Sequence, residues 1–588
     1  MTAIVSIMVL TAVFGGAVCA LYLKESVGAL KKGENNAMYI IAVLVAGIIA
    51  NVIGAVCYYG HETDMACWQG WSRDLFENGL GAFYTSEGFH DYPPGYVYVL
   101  YLLGAVRDLF GLEGTALQLL LKLPTIIANL VTGYFVYKIA SKKFSDEISA
   151  VFAALIVLNP AYILVGPIWG QVDSILALFC FLAVYYTAEK KYTRSYFLFA
   201  IAVLIKPQAL FFTPVLIYGI IDFVRSDDYT KEKLVKILLS GVGAVAFMFV
   251  TFMPFGSNPI EGISVILSQY TETLASYPYM TVNAFNIYGA IGKNWAGLTT
   301  GSSIIGYGVI LLIVAYSAYV FFKSKSPAKY YLSSFILVFG MFMLAVKMHE
   351  SYAFPGIIFL LMALITVPNT RNYLMHGLFS LSQFFNTSWI LFIYQQDINT
   401  YFRSPVVTVA SIINIILSVM FVYIIQKDCV HYTEKTAGIQ QRAAHTKKQQ
   451  PVRKPAANTG FAFRVSEKFA PITRFDIIAI AVIGVVYAVI ALYNLGNMYA
   501  PETYTAISDG AVTVDFGSEK DIAKTEFYLG PRQLQEDRNL VFTFYDENMN
   551  EVMSDNNTSG SVFCWTIRDA EAKARYVRVS TDMDTSDT

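Results

Sequence analysis

Carboxylates and tryptophans are concentrated in residues 61–96, which separate two apolar segments. Within this stretch Asp64, Trp68 and Trp71 follow i, i+4, i+7 spacing, so a helix here would place one acid beside two rings. A carboxylate just outside a membrane span can remove the proton of an acceptor hydroxyl, and aromatic faces suit sugars. The alternatives are a solvated loop acid and an interfacial aromatic belt. Asp64 is therefore a candidate general base.

A second acid, Asp91, opens the sequence DYPPGY. Pro93 and Pro94 restrict the local backbone, which would hold the Asp91 side chain still. The alternative is a helix start, with Asp91 as N-cap and a proline in the first turn. The two interpretations are compatible, so Asp91 is a second catalytic candidate.

Further polar groups are predicted at the outer edge of the membrane. Trp169, Gln171 and Asp173 lie in WGQVDS, and Lys206 lies in IKPQ. Ionisable groups at membrane depth are functional by default, and Lys206 could neutralise a lipid phosphate. The alternatives are a lysine that extends to the interface and an aspartate that caps a helix.

The segment KMHESYAFP carries Lys347, His349 and Glu350 at the end of another apolar stretch. Lysine and histidine can hold a phosphate through charge-assisted hydrogen bonds. The alternative is an interfacial polar turn. The sequence lacks the second histidine of HExxH, which excludes the zinc-protease motif.

Composition sets the class of protein. The chain has 588 residues, of which 55% are hydrophobic and 14% charged, and its mean hydropathy is +0.50. Soluble domains average about 25% charged residues, so we predict a polytopic α-helical membrane protein. There is no basic groove with interleaved aromatics, and no nucleic-acid partner is predicted. The six cysteines lack metal-binding spacing, and a disulfide framework is not expected.

Segments of about 18 apolar residues can cross a bilayer, and the chain predicts about fourteen spans. They are residues 3–23, 37–58, 117–139, 147–166, 173–188, 195–206, 208–224, 233–254, 303–322, 331–347, 354–368, 372–394, 404–425 and 477–494.

Lysine-rich loops such as SKKFSDE and EKKYTRS alternate with less basic ones, and the positive-inside rule places the basic loops in the cytoplasm. This assignment puts residues 61–96, WGQVDS and KMHES together on the extracytoplasmic side. Residues 96–110 are then predicted to lie in the outer interface. A second outer loop, residues 255–302, contains Tyr279 and Asn283 as a candidate sugar platform.

The domain boundaries follow from these patterns. Residues 1–426 form the membrane domain, residues 427–475 a basic flexible cytoplasmic linker, and residues 476–495 a last helix in the membrane. Residues 501–581 contain short runs of alternating β-branched and aromatic residues separated by Gly, Asp and Asn. This pattern predicts an extracytoplasmic β-sandwich.

Five motifs occur in the order TDMACWQGW, DYPPGY, WGQVDS, IKPQALFFTP and KMHESYAFP. Together they resemble the GT-C superfamily of polytopic glycosyltransferases over roughly residues 37–426. The resemblance is greatest to GPI-mannosyltransferase-II-like bacterial membrane mannosyltransferases. Dolichyl-phosphate-glucose transferases and protein O-mannosyltransferases are more distant. The tail, with ARYVRVST, resembles a galactose-binding-like (discoidin) module, which would bind glycans.

The GT-C resemblance implies a polyprenyl-phosphate-linked sugar donor, a glycan, lipid or protein acceptor, and attack with inversion at the outer face of a bacterial plasma membrane. It implies an acid of the first outer loop as base, which matches Asp64, with Glu62 as the alternative. It also implies a role for the proline-rich motif at Asp91. The residues that it implies near the donor phosphate or substrate are His349, Glu350, Lys206, Gln208, Gln171, Asp173, Trp68 and Trp169.

We therefore expect a hexosyltransferase, with mannose as the sugar. No cofactor is assigned, and a divalent cation is left open. The first alternative is a transporter or flippase of lipid-linked sugars, which would have internal repeats and a charged central path. The second is a non-catalytic scaffold whose outer sandwich binds glycans.

Overall fold

The computed structural model describes residues 37–85, 90–275, 279–396, 405–432, 510–528, 540–557 and 565–581. Up to residue 432 the described chain is almost entirely helical, and beyond residue 510 it is a β-sheet. The predicted first span, most of the linker and the predicted last span lie outside the described residues.

The first helices frame the acidic segment and the WGQVDS turn. They are α1 (Met38–Cys57), α2 (Glu62–Asn78), α3 (Leu80–Phe83), α4 (Pro94–Phe110), α5 (Gly114–Ala140), α6 (Asp146–Val157) and α7 (Pro160–Ile163), which continues as a π-helix over Leu164–Trp169. The next are α8 (Asp173–Ala188), α9 (Tyr192–Ile205), a 3-10 turn (Pro207–Phe212), α10 (Thr213–Val224), α11 (Lys231–Phe252), a 3-10 turn (Met253–Phe255) and α12 (Pro259–Ala275).

The second half of the helical region begins with a strand. Its elements are β1 (Thr281–Val282), α13 (Ile287–Ala290), α14 (Thr300–Lys323), α15 (Lys329–Leu344), β2 (Met348–His349), α16 (Gly356–Thr366), α17 (Thr370–Gln396), α18 (Pro405–Ile425) and a π-helical turn (Gln426–Val430).

Prolines and side-chain caps set several of these boundaries. The break predicted at Lys206–Pro207 occurs there, because proline cannot donate the hydrogen bond that would continue α9. At the junction of α6 and α7, the Asn159 side chain accepts a hydrogen bond from the Ala161 amide at 3.0 Å. The two pieces bend by 43° at this junction. Proline and cap together therefore shape the turn that carries WGQVDS.

The predicted number of spans is not confirmed. Among the described residues six helices are long and apolar enough to cross a membrane, or seven if the bent pair is one span. Four further apolar helices are shorter: α8, α9, α15 and α16. Helix α16 has 11 residues, or about 17 Å at 1.5 Å per residue, against a hydrocarbon core of about 30 Å. Its side chains from Gly356 to Ile365 are buried, so its apolar sequence reflects packing inside the protein.

The basic loops meet at one end of the helical bundle. Lys142 donates to the Tyr185 hydroxyl at 2.8 Å, and Lys329 pairs with Asp222 at 2.7 Å. Lys190 likewise pairs with Asp228. Helix α8 runs from Asp173 to this basic end, so the WGQVDS turn lies at the opposite end. The predicted segregation of basic and acidic loops is thus present.

The tail forms one antiparallel sheet in the order β3-β6-β4-β5. Its strands are β3 (Ala511–Tyr528), β4 (Leu540–Tyr545), β5 (Glu551–Asn557) and β6 (Trp565–Thr581). A small cluster that includes Phe542, Phe544 and Val577 is buried on it. The described tail residues contain no second sheet, so the predicted β-sandwich and its discoidin resemblance are not confirmed.

Candidate active site

Asp64 is held by two donors from a distant part of the chain. The Trp169 indole Nε1 and the Gln171 side-chain Nε2 each donate to its Oδ2 at 2.7 Å. The other carboxylate oxygen, Oδ1, receives no hydrogen bond from the described part of the chain. The Asp64 side chain is 25% exposed.

The segment around His61 packs closely on the WGQVDS turn. The His61 amide donates to the Trp169 carbonyl at 3.0 Å, and the two rings stack with centroids 5.2 Å apart and an interplanar angle of 8°. The Trp68 indole donates to the Gly170 carbonyl at 2.9 Å. Three contacts, each to a different group of the turn, therefore fix the position of Asp64 relative to Trp169 and Gln171.

Trp68 does not offer an open ring face. It is 1% exposed, and Tyr92 and Tyr96 pack edge-on against it with centroids 4.8 and 5.1 Å away. The expected pair of rings beside Asp64 is buried, since Trp71 is also only 7% exposed. Trp68 thus positions the turn, and a sugar cannot stack on it in this arrangement.

Two glycines permit the close approach of the two segments. Gly60 has φ +113°, and a Cβ there would lie 2.4 Å from the Trp169 carbonyl oxygen. Gly170 has φ +99°, and a Cβ there would lie 2.6 Å from the Met65 sulfur. Both positions therefore need a residue without a side chain.

Gln171 links Asp64 to a buried ion pair. Its Nε2 donates to Asp64, while its Oε1 accepts from Lys206 Nζ at 3.3 Å and from the Tyr92 hydroxyl at 3.2 Å. Lys206 also pairs with Asp173 at 2.9 Å, and the two side chains are 11% and 1% exposed. The donors on one side and the acceptor on the other fix the orientation of the Gln171 amide.

Asp91 is close enough to Asp64 for their charges to interact. Burial raises the pKa of Asp91 to about 7, and the charge of Asp64 adds to this shift. Lys206 acts in the opposite direction. Asp91 therefore holds its proton up to about neutral pH. Glu62 is exposed and lies two residues before Asp64 on α2, a spacing that points it away from the Gln171 side.

The KMHES turn lies at the same end of the bundle. Strand β1 of the second outer loop pairs in parallel with β2, so that Val282 lies opposite His349. Burial, with a smaller contribution from the Lys206 charge, lowers the pKa of His349 to about 3. Burial raises the pKa of Glu350 to about 8, and the charges of Asp64 and Asp173 add to it. Near neutral pH His349 is thus neutral, while Glu350 is largely protonated.

Gln208 lies close to the Tyr352 hydroxyl, next to this turn. The Tyr352 ring in turn stacks on His349, with centroids 4.9 Å apart. All three predicted segments therefore meet at one end. In the described ranges no three His, Cys, Asp or Glu side chains are grouped to hold a metal ion.

Lys122 was not identified from the sequence. It is 1% exposed within α5 and donates to the carbonyls of Tyr58 at 2.6 Å and Ile168 at 3.0 Å. It thereby joins the end of α1, which leads to Asp64, to the residue before Trp169. A lysine inside the predicted span 117–139 was the available signal, because such residues are rarely neutral to function.

One segment of the chain matches a known protein family. Residues 91–256 match the family model described as dolichyl-phosphate-mannose-protein mannosyltransferase. The matched segment is less than a third of the chain, and it includes Asp91, Gln171, Asp173 and Lys206. It supports the resemblance to GT-C glycosyltransferases over that segment. No curated protein matches the chain.

Two solved structures show weak similarity to this chain. The oligosaccharyltransferase of Archaeoglobus fulgidus, solved with a tethered acceptor peptide, has 11% identity and a TM-score of 0.31 over 68% of this chain and 55% of that one. The arabinosyltransferase EmbB of Mycobacterium smegmatis has 12% identity and a TM-score of 0.33 over 96% of this chain and 65% of that one. The chain thus spans 55% and 65% of these two proteins, and the scores do not establish a shared fold.

Proposed function

We propose that this chain is a GT-C-type membrane glycosyltransferase. It transfers mannose, a hexose, from a polyprenyl-phosphate-linked donor to a glycan, lipid or protein acceptor. The configuration at the anomeric carbon is inverted. The observation that supports this most directly is the state of Asp64. One carboxylate oxygen is fixed by Trp169 and Gln171, and the other receives no bond from the described residues.

Asp64 acts as the general base in this proposal. Its Oδ1 accepts the proton of the acceptor hydroxyl while the hydroxyl oxygen attacks the anomeric carbon. The bond between that carbon and the donor phosphate oxygen breaks, and the phosphate leaves with the electron pair. The donors on Oδ2 hold the carboxylate in place, which is the positioning that a general base requires. Attack from the face opposite the phosphate gives inversion.

Lys206 stabilises the leaving phosphate. Its ammonium group has three hydrogens, and Asp173 and Gln171 engage two of them. The third is available for a phosphate oxygen, where positive charge offsets the negative charge that develops. His349 is neutral at this site, so it contributes a hydrogen bond and no charge. Glu350, being largely protonated, adds little repulsion near neutral pH.

Asp91 supplies a further neutral group beside the base. With a pKa of about 7, it is largely protonated below neutral pH. Because the charge of Asp64 acts on Asp91, two ionised carboxylates here would repel each other and the donor phosphate. We place the site on the extracytoplasmic side of the membrane, because the basic loops lie at the other end of the bundle.

The test uses the purified full-length chain with synthetic polyprenyl-phosphate mannose and outer-surface glycan acceptors. Transfer of labelled mannose to acceptor is the readout, and the anomeric configuration of the product is read by NMR. We expect Asp64→Asn to reduce the rate by at least about 10²-fold. Asp74→Asn is the matched control, because Asp74 lies on the same helix and accepts a hydrogen bond from Asn78 at 2.7 Å. Parental activity in Asp64→Asn, or donor movement across a bilayer without a new glycosidic bond, would contradict the proposal.

A further inference from the structure

A groove at the basic end of the bundle has not been assigned a role. It has a volume of about 650 Å³ and lies between the start of α9 and the start of α11. Five cationic side chains line it, with Asp228 as the one acid among the lining residues. These cations are Lys190, Lys191, Arg194, Lys233 and Lys236. The lining therefore has a net charge of +4, which suits an anionic ligand.

Two of the cations are already engaged with the acid. Lys190 pairs with Asp228, and Lys233 donates to the Asp228 backbone carbonyl at 3.1 Å. Lys191 and Arg194 instead lie over the Tyr186 ring, at 6.0 and 5.8 Å from its centroid. Such cation–aromatic contacts hold a side chain without neutralising it.

Lys190 is paired with Asp228, so four of the lining cations keep their charge, and three of these four are not held by the Asp228 carbonyl that binds Lys233. Lys191, Arg194 and Lys236 make no ion pair with any carboxylate in the described part of the chain. Helices α9 and α11 both begin at the groove, so their dipoles add positive potential there. At the rim the Thr193 and Ser240 hydroxyls bond each other at 2.7 Å and join the two helices. The groove is therefore a formed site between two helices.

The position of the groove indicates a lipid rather than a soluble anion. Below Lys236 the outer face of α11 is apolar and open, with Leu239 62% and Val242 65% exposed. A soluble protein would not expose such a strip along a long apolar helix, whereas a membrane helix presents it to acyl chains. The floor of the groove is made by Phe223 and Ile237, both buried. A ligand here would have its charge among the cations and its apolar part against α11.

We propose that this groove binds the phosphate headgroup of an anionic phospholipid from the leaflet at the basic end. Basic pockets between membrane helices on the cytoplasmic side are suited to such headgroups. Lys191, Arg194 and Lys236 bind the phosphate oxygens, and the acyl chains lie along Leu239 and Val242. The site is separate from Asp64, because α8 runs between the two ends.

The experiment measures lipid retention by the full-length protein in neutral detergent. Phosphatidylglycerol or phosphatidylcholine is titrated in, and bound lipid is counted by native mass spectrometry. We expect phosphatidylglycerol to bind in preference to phosphatidylcholine. The variant Lys191→Gln/Arg194→Gln/Lys236→Gln should weaken phosphatidylglycerol binding by about tenfold or more. The single change Lys236→Gln should give a smaller loss in the same direction.

A matched control removes three exposed lysines of the same end that lie outside the groove, Lys138→Gln/Lys323→Gln/Lys325→Gln. It should bind as the parent does. Equal loss in the control, equal binding in the groove variants, or no preference over phosphatidylcholine would overturn the proposal. Displacement of phosphatidylglycerol by an equal concentration of inorganic phosphate would show a soluble anion site and overturn the choice of lipid. Sugar transfer is not a readout, so the result is independent of the proposed function.

Discussion

The two ends of the helical bundle both contain lysine–aspartate pairs, but the pairs differ in their surroundings. At the outer end Lys206 and Asp173 are 11% and 1% exposed and bond to Gln171, which in turn bonds to Asp64. At the basic end Lys190 and Asp228 are 47% and 61% exposed. A solvated ion pair is screened by water and salt and contributes about 0–1 kcal/mol to stability. Removing one member of a buried pair is strongly destabilising, because the other charge remains buried without a partner. The same residue types therefore belong to a buried hydrogen-bonded network at one end and to a solvated surface pair at the other.

Removing one lysine from each pair tests this contrast directly. We expect Lys206→Met to destabilise the protein by about 3–5 kcal/mol, because Asp173 would remain buried without its partner. Lys190→Met should cost less than about 1 kcal/mol. Thermal unfolding in detergent at fixed pH measures both. The double change Lys206→Met/Asp173→Asn should recover stability but not activity, and equal destabilisation by the two single changes would contradict the comparison.

We expect the next largest effect from Lys122, whose side chain joins two backbone carbonyls. Lys122→Met removes the donor to the Tyr58 and Ile168 carbonyls, and an unsatisfied buried acceptor costs about 1–3 kcal/mol. Because Lys122 touches neither Asp64 nor its donors, the loss of activity should accompany the loss of stability. Lys138→Met, an exposed lysine of the same helix, is the control. An unchanged melting temperature in Lys122→Met would show that these hydrogen bonds do not contribute to stability.

Trp169→Phe separates stacking from hydrogen bonding at Asp64. The phenyl ring can still stack on His61, but the bond of 2.7 Å to Asp64 is lost. A hydrogen bond to a charged group contributes about 1.5–3 kcal/mol, so we expect the transfer rate to fall about tenfold or more. Gln171 remains as a second donor, which keeps the effect below that of Asp64→Asn. A rate equal to the parent's would indicate that Gln171 alone positions the base.

Asp91 should give a small, pH-dependent effect. Its folded-state pKa of about 7 is above its ordinary value of 3.8, so its stabilising contribution is complete below pH 3.8 and is lost as the pH rises through about 7. Asp91→Asn keeps a neutral side chain at all pH values. The difference in melting temperature, variant minus parent, should therefore be about 1–2 °C larger at pH 8 than at pH 5. An equal gain at pH 5 and at pH 8 would show that Asp91 is already ionised at pH 5 in the folded protein.

The sequence predicted several helix boundaries that the structure shows, but it could not show which helices are buried inside the protein. The predicted span 173–188 coincides with α8, and the predicted break at Lys206–Pro207 is where α9 ends. The length of an apolar segment and the position of a proline are local features, so they can be identified directly in the sequence. Whether an apolar helix faces lipid or protein is not local. Helix α16 has the composition of a span, but its side chains are buried inside the protein.

The candidate site shows the same division. The sequence by itself predicted that Asp64, Asp91, WGQVDS, Lys206 and KMHES would lie on one side of the membrane, because basic residues orient alternating helices. The structure brings these segments to one end of the bundle. The sequence left Glu62 as an alternative to Asp64, and it suggested open rings at Trp68 and Trp71. Only the tertiary structure decided that Trp68 is buried, that Glu62 is exposed and that Trp169 and Gln171 share one oxygen of Asp64. The physical reason is that hydrogen bonds between residues more than a hundred positions apart depend on how helices pack, which no local pattern records.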